Sequence, residues 1–309
     1  MSDDPVAEFK GLLYFTDGSL AYAGRYSHDD SFATHTHSFV EIAVTLGGEG
    51  LHHSITGKDP LSRGDAILLR PGTWHGYEDC RDLRLFNCCF SSDLLTRELA
   101  WTQEDPILGY LLWTGPYSMQ RRGILSAHLD EAQLQEALVH LEGLDELHER
   151  PIAKHRADVI GRLSLFLGHL ARAVAGNDLV EPTGPTHPAV VQAMRLLEAR
   201  VSHDWTLSDL AEALHLAPGY LVRLFKAETG LPPMAYLARQ RVETAATLLL
   251  HTEDPIAHIG QQVGWTDQNY FARRFKAHFG LSPTVYRGRF AHNAVELARP
   301  GELRGHVVP

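Results

Sequence analysis

A short stretch before residue 42 carries side chains that can bind a metal ion or a polar ligand. It reads HTHSFVE and provides imidazoles at His35 and His37 and a carboxylate at Glu41, and a second stretch, RPGTWH, ends at His75. In a β-strand alternate side chains share one face, so His35, His37 and Glu41 are expected on the same side. Imidazole and carboxylate groups suit Zn, Ni, Fe or Mn. One prediction is therefore a metal site formed by His35, His37, Glu41 and His75.

The same side chains can instead line a pocket for an organic molecule. Histidine and carboxylate groups accept protons from hydroxyl groups, and an aromatic face stacks on the C–H groups of a sugar. From the residues alone, this effector pocket and a metal-bearing sensor both stay open. A third alternative, core or surface histidines without a ligand, fits a matched set less well than a single histidine. The predicted effector pocket comprises His35, His37, Glu41, Trp74, His75 and Tyr77.

The composition indicates a soluble chain long enough for two domains. It has 309 residues, of which 44% are hydrophobic and 21% charged. No apolar run approaches the ~20 residues of a membrane helix, and the first residues, MSDDPVAEFK, lack the apolar segment of a secretory signal. We therefore expect a cytoplasmic protein with no membrane partner. Cys80, Cys88 and Cys89 are expected to be buried, reduced thiols.

Hydrophobic periodicity divides the chain into a β-rich part and a helical part. Residues 12–90 contain short apolar runs between turn signals such as GGEG and TGKDP, a pattern typical of a small barrel or sandwich. From Asp130 the period is helical, with Leu134, Leu138 and Leu141 on one face. The predicted class is α+β. The predicted parts are a barrel over 1–128, a helical segment over 129–176, a Pro- and Gly-rich linker over 177–188, an all-α domain over 189–290 and a flexible tail over 291–309.

The second half contains an internal repeat and is mildly basic, unlike the acidic first half. Net charge is −12 over residues 1–186 but +2 over residues 187–290. The motif Phe225-Lys226-Ala227, followed by Gly230, recurs as Phe275-Lys276-Ala277 followed by Gly280. Each unit is predicted to be a helix-turn-helix, whose second helix enters a DNA major groove. The predicted helices are Leu207–Leu214 and Tyr220–Thr229, then Ile256–Val263 and Gln268–Phe279.

The second helix of each unit is expected to expose groups that read DNA. With Tyr270, Phe271, Phe275 and Phe279 taken as core, Arg, Gln and Asn side chains are left, which pair with base edges. Lys226, Arg274 and Lys276 lie farther along and suit phosphate groups. The alternative is a duplicated helical hairpin that binds no DNA. The predicted contacts are Gly219, Val222, Arg223 and Lys226 in unit one, and Asp267, Gln268, Asn269, Ala272, Arg273 and Lys276 in unit two.

These motifs resemble the AraC/XylS family of bacterial transcription regulators. The segment PIAHIGQQVGWTDQNYFARRFKAHFGLSPTVYR is similar to the family signature, and LSDLAEALHLAPGYLVRLFKAETGLPPMAYL is similar to its first helix-turn-helix. The resemblance implies a long helix at about Pro233–Leu250 between the units, and double-stranded DNA as a partner. Gly219 departs from the family, which often has a contacting side chain there.

The N-terminal motifs resemble cupins and the sugar-responsive, rhamnose-regulator-like branch of the same family. The spacing His-x-His-x3-Glu-x6-Gly, ending at Gly48, is similar to the first cupin motif, and Gly64 with PGTWH to the second. The resemblance implies a small-molecule effector, a sugar being one candidate, a homodimer through residues 129–176, and RNA polymerase as a partner. A barrel fused to a DNA reader favours sensing over catalysis, so no catalytic residue is predicted. Effector binding would change the dimer geometry or free the DNA-binding domain.

Overall fold

The computed structural model describes residues 20–147, 150, 152–177 and 186–291. Residues 1–19, the centre of the predicted linker and the tail beyond residue 291 lie outside the described residues. The described chain is an antiparallel sheet followed by helices, which confirms the α+β class. The predictions of a linker over 177–188 and of a flexible tail stay predictions.

Seven strands form one antiparallel sheet in the N-terminal domain. The strands pair in the order β1-β6-β3-β5-β7, while β2 pairs with β6 and β4 with β3. His35 on β2 lies opposite His75 on β6. The strands are β1 Ala21–His28, β2 Phe32–His35, β3 Val40–Ser54, β4 Gly57–Pro60, β5 Asp65–Leu69, β6 His75–Phe90 and β7 Ile124–His128.

Irregular pairing between the two longest strands curves this sheet into a barrel. The β3–β6 ladder shifts register three times, between Thr45 and Leu51. Such bulges bend a strand and increase its twist. Gly48 lies in this region with φ +83°, and a Cβ there would lie 1.9 Å from the carbonyl oxygen of Asp82, so no other residue fits. The turn-rich composition thus does produce the predicted barrel.

Short helical turns between β6 and β7 cover one side of the barrel. Helix α1 is Ser92–Thr96 and helix α2 is Pro106–Gly109, with single turns at Ala100–Gln103, Tyr110–Thr114 and Gly115–Gln120. The sequence analysis did not predict them, because turns this short show no helical periodicity. Trp113 and Tyr117 from this segment are fully buried, and the Trp113 indole donates to Thr102 Oγ1 at 3.0 Å.

Two long helices follow the barrel, and their leucines face inward. Helix α3 is Glu131–Asp145 and starts with a capping box formed by Asp130 and Gln133; helix α4 is Ile152–Asn177. Leu134, Leu138 and Leu141 are buried in the core shared with the barrel, as are Leu144 and Leu147. The leucine stripe thus packs on its own barrel, and the expectation that these helices form a homodimer stays a prediction. Val139 (60% exposed) and Leu165 (54% exposed) are the large apolar side chains that these helices expose.

Helix α4 is more apolar than the sequence analysis expected. Residues Lys154–Gly176 have the length and composition of a membrane-spanning helix, with a mean hydropathy of 1.2 in the best window. Leu163, Phe166, Leu167 and Leu170 are nevertheless buried in the core. The apolar face of the helix therefore packs on protein, as in the core helix of a globular domain.

Seven helices form the C-terminal domain within the described residues. Both units end their second helix with a glycine in the left-handed conformation, Gly230 (φ +74°) and Gly280 (φ +76°). Their inter-helix turns also use a left-handed residue, His215 in unit one and Gly264 in unit two. The predicted duplication is confirmed. The helices are α5 Pro188–Ala199, α6 Leu207–Ala213, α7 Pro218–Thr229, α8 Pro233–His251, α9 Ile256–Gln262, α10 Gln268–Phe279 and α11 Pro283–Phe290.

The two units are packed differently. Buried residues of unit one, including Leu210, Leu221 and Phe225, belong to the same hydrophobic core as the barrel. Unit two has a separate, aromatic core that includes Phe271 and Phe275. Unit one therefore continues the core of the N-terminal domain, whereas unit two has its own core, against which Trp74 of the barrel packs.

Candidate functional site

The second helix of unit two exposes the side chains that were predicted to read DNA. Gln268, Asn269, Arg273 and Lys276 are exposed on α10, and Ala272 is half-buried between them. This face lies opposite the buried Phe271, Phe275 and Phe279. Arginine, glutamine and asparagine can each form bidentate hydrogen bonds with a base edge. The arrangement of α10 thus suits direct readout.

Two residues at the start of α10 have other roles than those predicted. Asp267 is the N-cap, and its carboxylate accepts hydrogen bonds from the backbone N–H groups of Asn269 and Tyr270. It therefore fixes the start of the reading helix. Tyr270 was predicted to be core but is 41% exposed, and its ring lies 5.8 Å from the guanidinium carbon of Arg273. A tyrosine at this distance restrains the arginine through a cation–π contact.

The second helix of unit one presents a poorer set of readers. Gly219, Arg223 and Lys226 are exposed on α7, and Val222 is half-buried. A Cβ at Gly219 would come within 3.7 Å of Arg223 Nη1, so the arginine extends toward the place of the missing side chain. Arg223 is therefore the one long polar reader among the four predicted residues, and Lys226 suits a phosphate group.

Four of the predicted pocket residues meet inside the barrel. Residues His35, His37, Glu41 and His75 are almost fully buried. The rings of His35 and His75 have centroids 4.3 Å apart, and those of His37 and His75 5.4 Å apart. Glu41 Oε2 lies 3.3 Å from His37 Nε2 and 4.0 Å from His75 Nε2. Tyr77, also buried, lies edge-on to His75 at 5.7 Å.

Hydrogen bonds to backbone carbonyls orient two of these imidazoles. His37 Nδ1 lies 2.9 Å from the carbonyl oxygen of Phe39, and His35 Nδ1 lies 3.1 Å from that of Ala33. A carbonyl oxygen only accepts, so each Nδ1 carries the proton and each Nε2 keeps its lone pair. The buried nitrogens of His75 have no hydrogen-bond partner among the side chains and backbone that the structure describes. Histidines that bind metal commonly donate their other N–H to a carbonyl in this way.

Burial keeps the cluster uncharged near neutral pH. It lowers the pKa of His35 to about 3 and that of His37 to about 4, and neighbouring histidines add to the shift at His35. It raises the pKa of Glu41 to about 8. Donor atoms of His35, Glu41 and His75 lie within 4.8 Å of one another, and donors to one tetrahedral ion are about 3–4 Å apart. Neutral imidazoles, orphaned nitrogens and this spacing fit a transition-metal ion.

The sequence analysis missed two members of the cluster. His52 on β3 is buried, with its ring 5.5 Å from that of His75, and its Nε2 has no partner among the described residues. Asn87 Nδ2 donates to Glu41 Oε1 at 2.9 Å. His52 and Glu41 have opposite parity on one strand, so strict alternation places them on opposite faces. The register shifts between them bring both to the same face.

Trp74 does not line the pocket as predicted. Its neighbour His75 faces the barrel interior, and adjacent residues of a strand point to opposite sides. The Trp74 indole instead donates to the carbonyl oxygen of Phe279, at the end of α10, at 3.0 Å. The prediction failed because it grouped residues by motif and not by strand parity.

The same alternation brings Thr36 to the DNA-binding domain. Thr36 lies between the two cluster histidines, and its Oγ1 is 3.1 Å from the hydroxyl of Tyr286 on α11. That hydroxyl donates to the carbonyl oxygen of Gly72 at 2.9 Å. Gly72 has φ +81°, and a Cβ there would lie 2.6 Å from Ala246 Cβ, so glycine permits this close approach. Residues next to the histidine cluster therefore bind unit two directly.

A buried ion pair and a cavity lie between the barrel and α8. Arg70 follows β5, and its Nη2 donates to Glu243 Oε2 on α8 at 3.0 Å, with both side chains almost fully buried. Beside it is a cavity of about 450 Å³. Its wall carries polar groups from Ser38, Ser92, Thr96, Glu198, Gln240 and Thr244, together with apolar surface that includes the rings of Phe39 and Trp113. Gln240 Nε2 is buried there without a partner in the described chain.

Comparison with known proteins relates both parts of the chain to regulators. The profile of the AraC-like ligand binding domain matches residues 18–164, and that of a helix-turn-helix domain matches residues 210–289. The HTH-type transcriptional activator RhaR of Klebsiella pneumoniae is 28% identical over 274 residues, covering 88% of this chain and 92% of that protein. RhaR of Mannheimia succiniciproducens is 25% identical over 278 residues, with 90% and 95% covered.

Solved structures share the two-part fold. ToxT from Vibrio cholerae in its P21 form superimposes with a TM-score of 0.52 at 15% identity, covering 88% of this chain and 99% of that chain. ToxT with an unsaturated fatty acid bound gives a TM-score of 0.50 at 14% identity, with 88% and 96% covered. At such identities the likeness concerns the fold.

Proposed function

This chain belongs to the AraC/XylS family of transcription regulators, and we propose that it activates transcription in response to a small polyhydroxylated molecule. It is a DNA-binding regulator and not an enzyme. Activation is proposed because the relatives compared above are named transcriptional activators. An activator of this kind acts on RNA polymerase at bacterial DNA, so the proposed partner is RNA polymerase and the proposed location is the cytoplasm.

The observation that carries the DNA-binding part is the pair of exposed second helices on a duplicated helix-turn-helix. Helix α10 offers Gln268, Asn269 and Arg273, and α7 offers Arg223. Two such helices on one domain can read successive major-groove segments. The test is selection of bound sequences from random duplex DNA by the full chain, followed by a footprint. Protection of two adjacent major-groove segments is expected, and binding without sequence preference would contradict the proposal.

The effector occupies the cavity between the barrel and α8. Its volume of about 450 Å³ suits a sugar-sized molecule. Hydroxyl, amide and carboxylate groups on the wall can bond to sugar hydroxyls, and Trp113 and Phe39 supply aromatic surface. Polar groups spread over the whole wall favour a polyol, with its many hydroxyls, over a fatty acid such as the one bound to ToxT, which has one polar end. The histidine cluster is the runner-up site, but its rings lie in contact and leave little space for a sugar.

Calorimetric titration with a panel of neutral sugars tests the class and the place of the effector. Gln240→Ala is expected to weaken binding at least tenfold, because Gln240 lies on the cavity wall. His37→Ala is expected to change it little. The reverse result would place the effector within the histidine cluster, as the sequence predicted. Binding of a fatty acid with no sugar binding would contradict the polyol class.

A divalent transition-metal ion in the histidine cluster is the second candidate ligand. His35, Glu41 and His75 would hold it. His37, whose Nε2 lies 3.3 Å from Glu41 Oε2, is the fourth candidate ligand. The support is the set of buried lone pairs without partners. The ion would link β2, β3 and β6. Elemental mass spectrometry of untagged protein should find about one ion per chain, and His75→Ala should remove it. Native protein without a metal ion would contradict this proposal and would mean that the histidine cluster is held by hydrogen bonds alone.

Effector occupancy reaches the DNA-binding domain through the contacts that flank the histidines. Thr36 and Trp74 both contact unit two, while their neighbours belong to the cluster. Ser38 and Phe39, two residues farther on, line the effector cavity. A ligand that shifts residues 36–39 therefore changes the contacts between the barrel and unit two. Coupling of this kind is typically about 1–3 kcal/mol.

The protein acts as a homodimer through the outer faces of α3 and α4. These faces expose Val139 and Leu165, whereas the leucine stripe faces the barrel. A dimer would bring two DNA-binding domains to two half-sites. Analytical ultracentrifugation should show a dimer that Leu165→Glu dissociates. A stable dimer in that variant would place the interface elsewhere.

A further inference from the structure

Three arginines converge on a second cavity, at the seam between the barrel and the DNA-binding domain. Arg122 comes from the turn before β7, Arg239 from α8 and Arg274 from α10. The cavity has a volume of about 260 Å³, and His278 also lines it. The rest of its wall is Ala238, Val242 and Ala277, so no acidic side chain borders it. We call this cavity the arginine seam.

The positive charges of the arginine seam are not neutralised by the protein. Within the described ranges, no carboxylate oxygen lies within 4.0 Å of Arg122, Arg239 or Arg274. Like charges this close repel one another, and burial increases the cost. Burial and Arg274 lower the pKa of Arg239 to about 10. Burial and the three arginines lower the pKa of His278 to about 3.

Two nitrogens that face this region lack partners. Arg239 Nη1 and His278 Nε2 are buried and make no hydrogen bond to any group that the structure describes. The Arg239 guanidinium is held over the ring of Tyr117, with its carbon 5.0 Å from the ring centroid. Buried polar groups in proteins almost always have a partner. A preorganised donor without a partner, in a cavity of one charge sign, points to a ligand of the opposite sign.

The arginine seam is separate from the face of α10 that reads DNA. Arg274 and His278 are four residues apart and therefore lie on one flank of the helix. Both are half-buried. Arg273 and Lys276 are exposed on a different flank. The cavity also includes Arg122, which belongs to the barrel domain.

We propose that the arginine seam binds a phosphate group, either free phosphate or the phosphate of a small ester, and that the bound group joins the barrel to unit two. Guanidinium groups bind phosphate oxygens with paired, charge-assisted hydrogen bonds. Three of them from two domains can surround one dianion. Because the anion removes the repulsion between Arg122 and the two arginines of the other domain, its binding favours the docked arrangement.

Calorimetric titration of the full-length protein at constant ionic strength tests this. Inorganic phosphate and glycerol 3-phosphate are the two probes, and the tighter of them identifies the source of the phosphate group. About one site per chain is expected. Arg239→Gln and Arg274→Gln should each weaken binding at least tenfold, and Arg122→Gln should do so from the opposite domain. Circular dichroism checks that each variant is folded. If one variant is unfolded, the phosphate affinities of the other two test the proposal.

The matched control is Arg289→Gln. Arg289 is exposed on α11 and does not line the cavity, so its loss removes the same charge but should leave phosphate affinity within twofold. Equal weakening in the control would overturn the proposal, because it would indicate non-specific attraction. Absence of saturable binding would also overturn it, and a lower salt dependence of DNA binding in Arg274→Gln would then assign the cluster to the DNA backbone. The titration uses no DNA, so its failure leaves the regulator function intact.

Discussion

The two helix-turn-helix units share a layout but are attached to the rest of the protein in opposite ways. Unit one continues the hydrophobic core of the barrel, through residues such as Leu210, Leu221 and Phe225. Unit two has its own aromatic core and meets the barrel through hydrogen bonds from Thr36 and Trp74 and through the packing of the Trp74 ring on that core. An apolar core is costly to separate, whereas hydrogen bonds can exchange with water. Unit two is therefore the unit whose position an effector can change.

The same contrast appears in the surfaces that read DNA. Unit two, the unit held by polar contacts, carries Gln268, Asn269 and Arg273, while unit one offers Arg223 beside Gly219. Regulation of unit two would thus act on most of the direct base readout. Unit one would supply a constant anchor. Four measurements test this division.

The largest expected effect comes from the ion pair that fastens α8, the helix between the units, to the barrel. Glu243→Gln leaves the buried Arg70 without its counter-charge. Removing one partner of a buried pair typically costs about 3–5 kcal/mol of unfolding free energy. Urea denaturation measures it. Exposed Glu253→Gln, the control, should stay within about 0.5 kcal/mol. A small loss for Glu243→Gln would show that α8 is not held at this point.

The second effect is a pH dependence of the unfolding free energy, which arises from a buried carboxyl group beside unit one. Burial raises the pKa of Glu198 on α5 to about 7, although Tyr236 and Gln103 donate to its carboxylate. Between about pH 4.5 and 7 the folded state keeps a proton that the unfolded state has lost, so stability falls as pH rises. From pH 5 to 8 the unfolding free energy of the wild type should fall by on the order of 2–3 kcal/mol relative to that of Glu198→Gln.

Chemical denaturation at several pH values measures this difference. Glu212→Gln, which changes an exposed carboxylate on α6, should keep the wild-type profile. Identical profiles for the wild type and Glu198→Gln would mean that this carboxyl group is ionised in the folded protein at neutral pH.

The third effect distinguishes base readout from phosphate contact within unit two. Arg273→Ala should remove about 1–3 kcal/mol of DNA-binding free energy that depends on one base position, and it should relax specificity at that position. Lys276→Ala should weaken binding to all DNA sequences alike. It should also lower the slope of log affinity against log salt concentration by about one. Fluorescence anisotropy on a set of single-base operator variants measures both. If Arg273→Ala weakens every sequence equally, Arg273 contacts phosphate, and unit two reads fewer bases than we infer.

The smallest effect tests the hydrogen bonds between the barrel and unit two. Thr36→Val removes the hydroxyl that contacts Tyr286, and Trp74→Phe removes the donor to Phe279. Each hydrogen bond is worth about 1 kcal/mol, so operator affinity without effector should rise about fivefold. Thr34→Val, two residues earlier on β2, is the matched control and should leave operator affinity unchanged. No change in Thr36→Val and Trp74→Phe would mean that these contacts do not restrain unit two.

Much of the C-terminal domain was predictable because its signals are local. The repeated Phe-Lys-Ala and the glycines at 230 and 280 predicted both units to within a few residues of the observed helices. The exposed reading face followed from helical periodicity. Tyr270 is the exception, because a ring at the edge of a core counts as apolar in a pattern yet reaches solvent.

The barrel was predictable in part. His35, His37 and Glu41 do meet, but not by alternation along one strand, because β2 ends at His35 and β3 begins at Val40. The analysis missed His52, since bulges shift the register between it and Glu41. Trp74 was assigned to the pocket but contacts Phe279. No local pattern shows what a helix face packs against, because that depends on residues distant in the chain.

The sequence by itself determined the two domains, the duplicated DNA reader and the residue types of the histidine cluster, because periodicity and spacing encode local structure. Only the tertiary structure decided which neighbours those elements have. It placed Thr36 against Tyr286, Arg70 against Glu243, and Arg122 beside Arg239, pairs separated by more than a hundred residues. Such contacts arise when the whole chain buries its apolar surface, so no local pattern in the sequence specifies them.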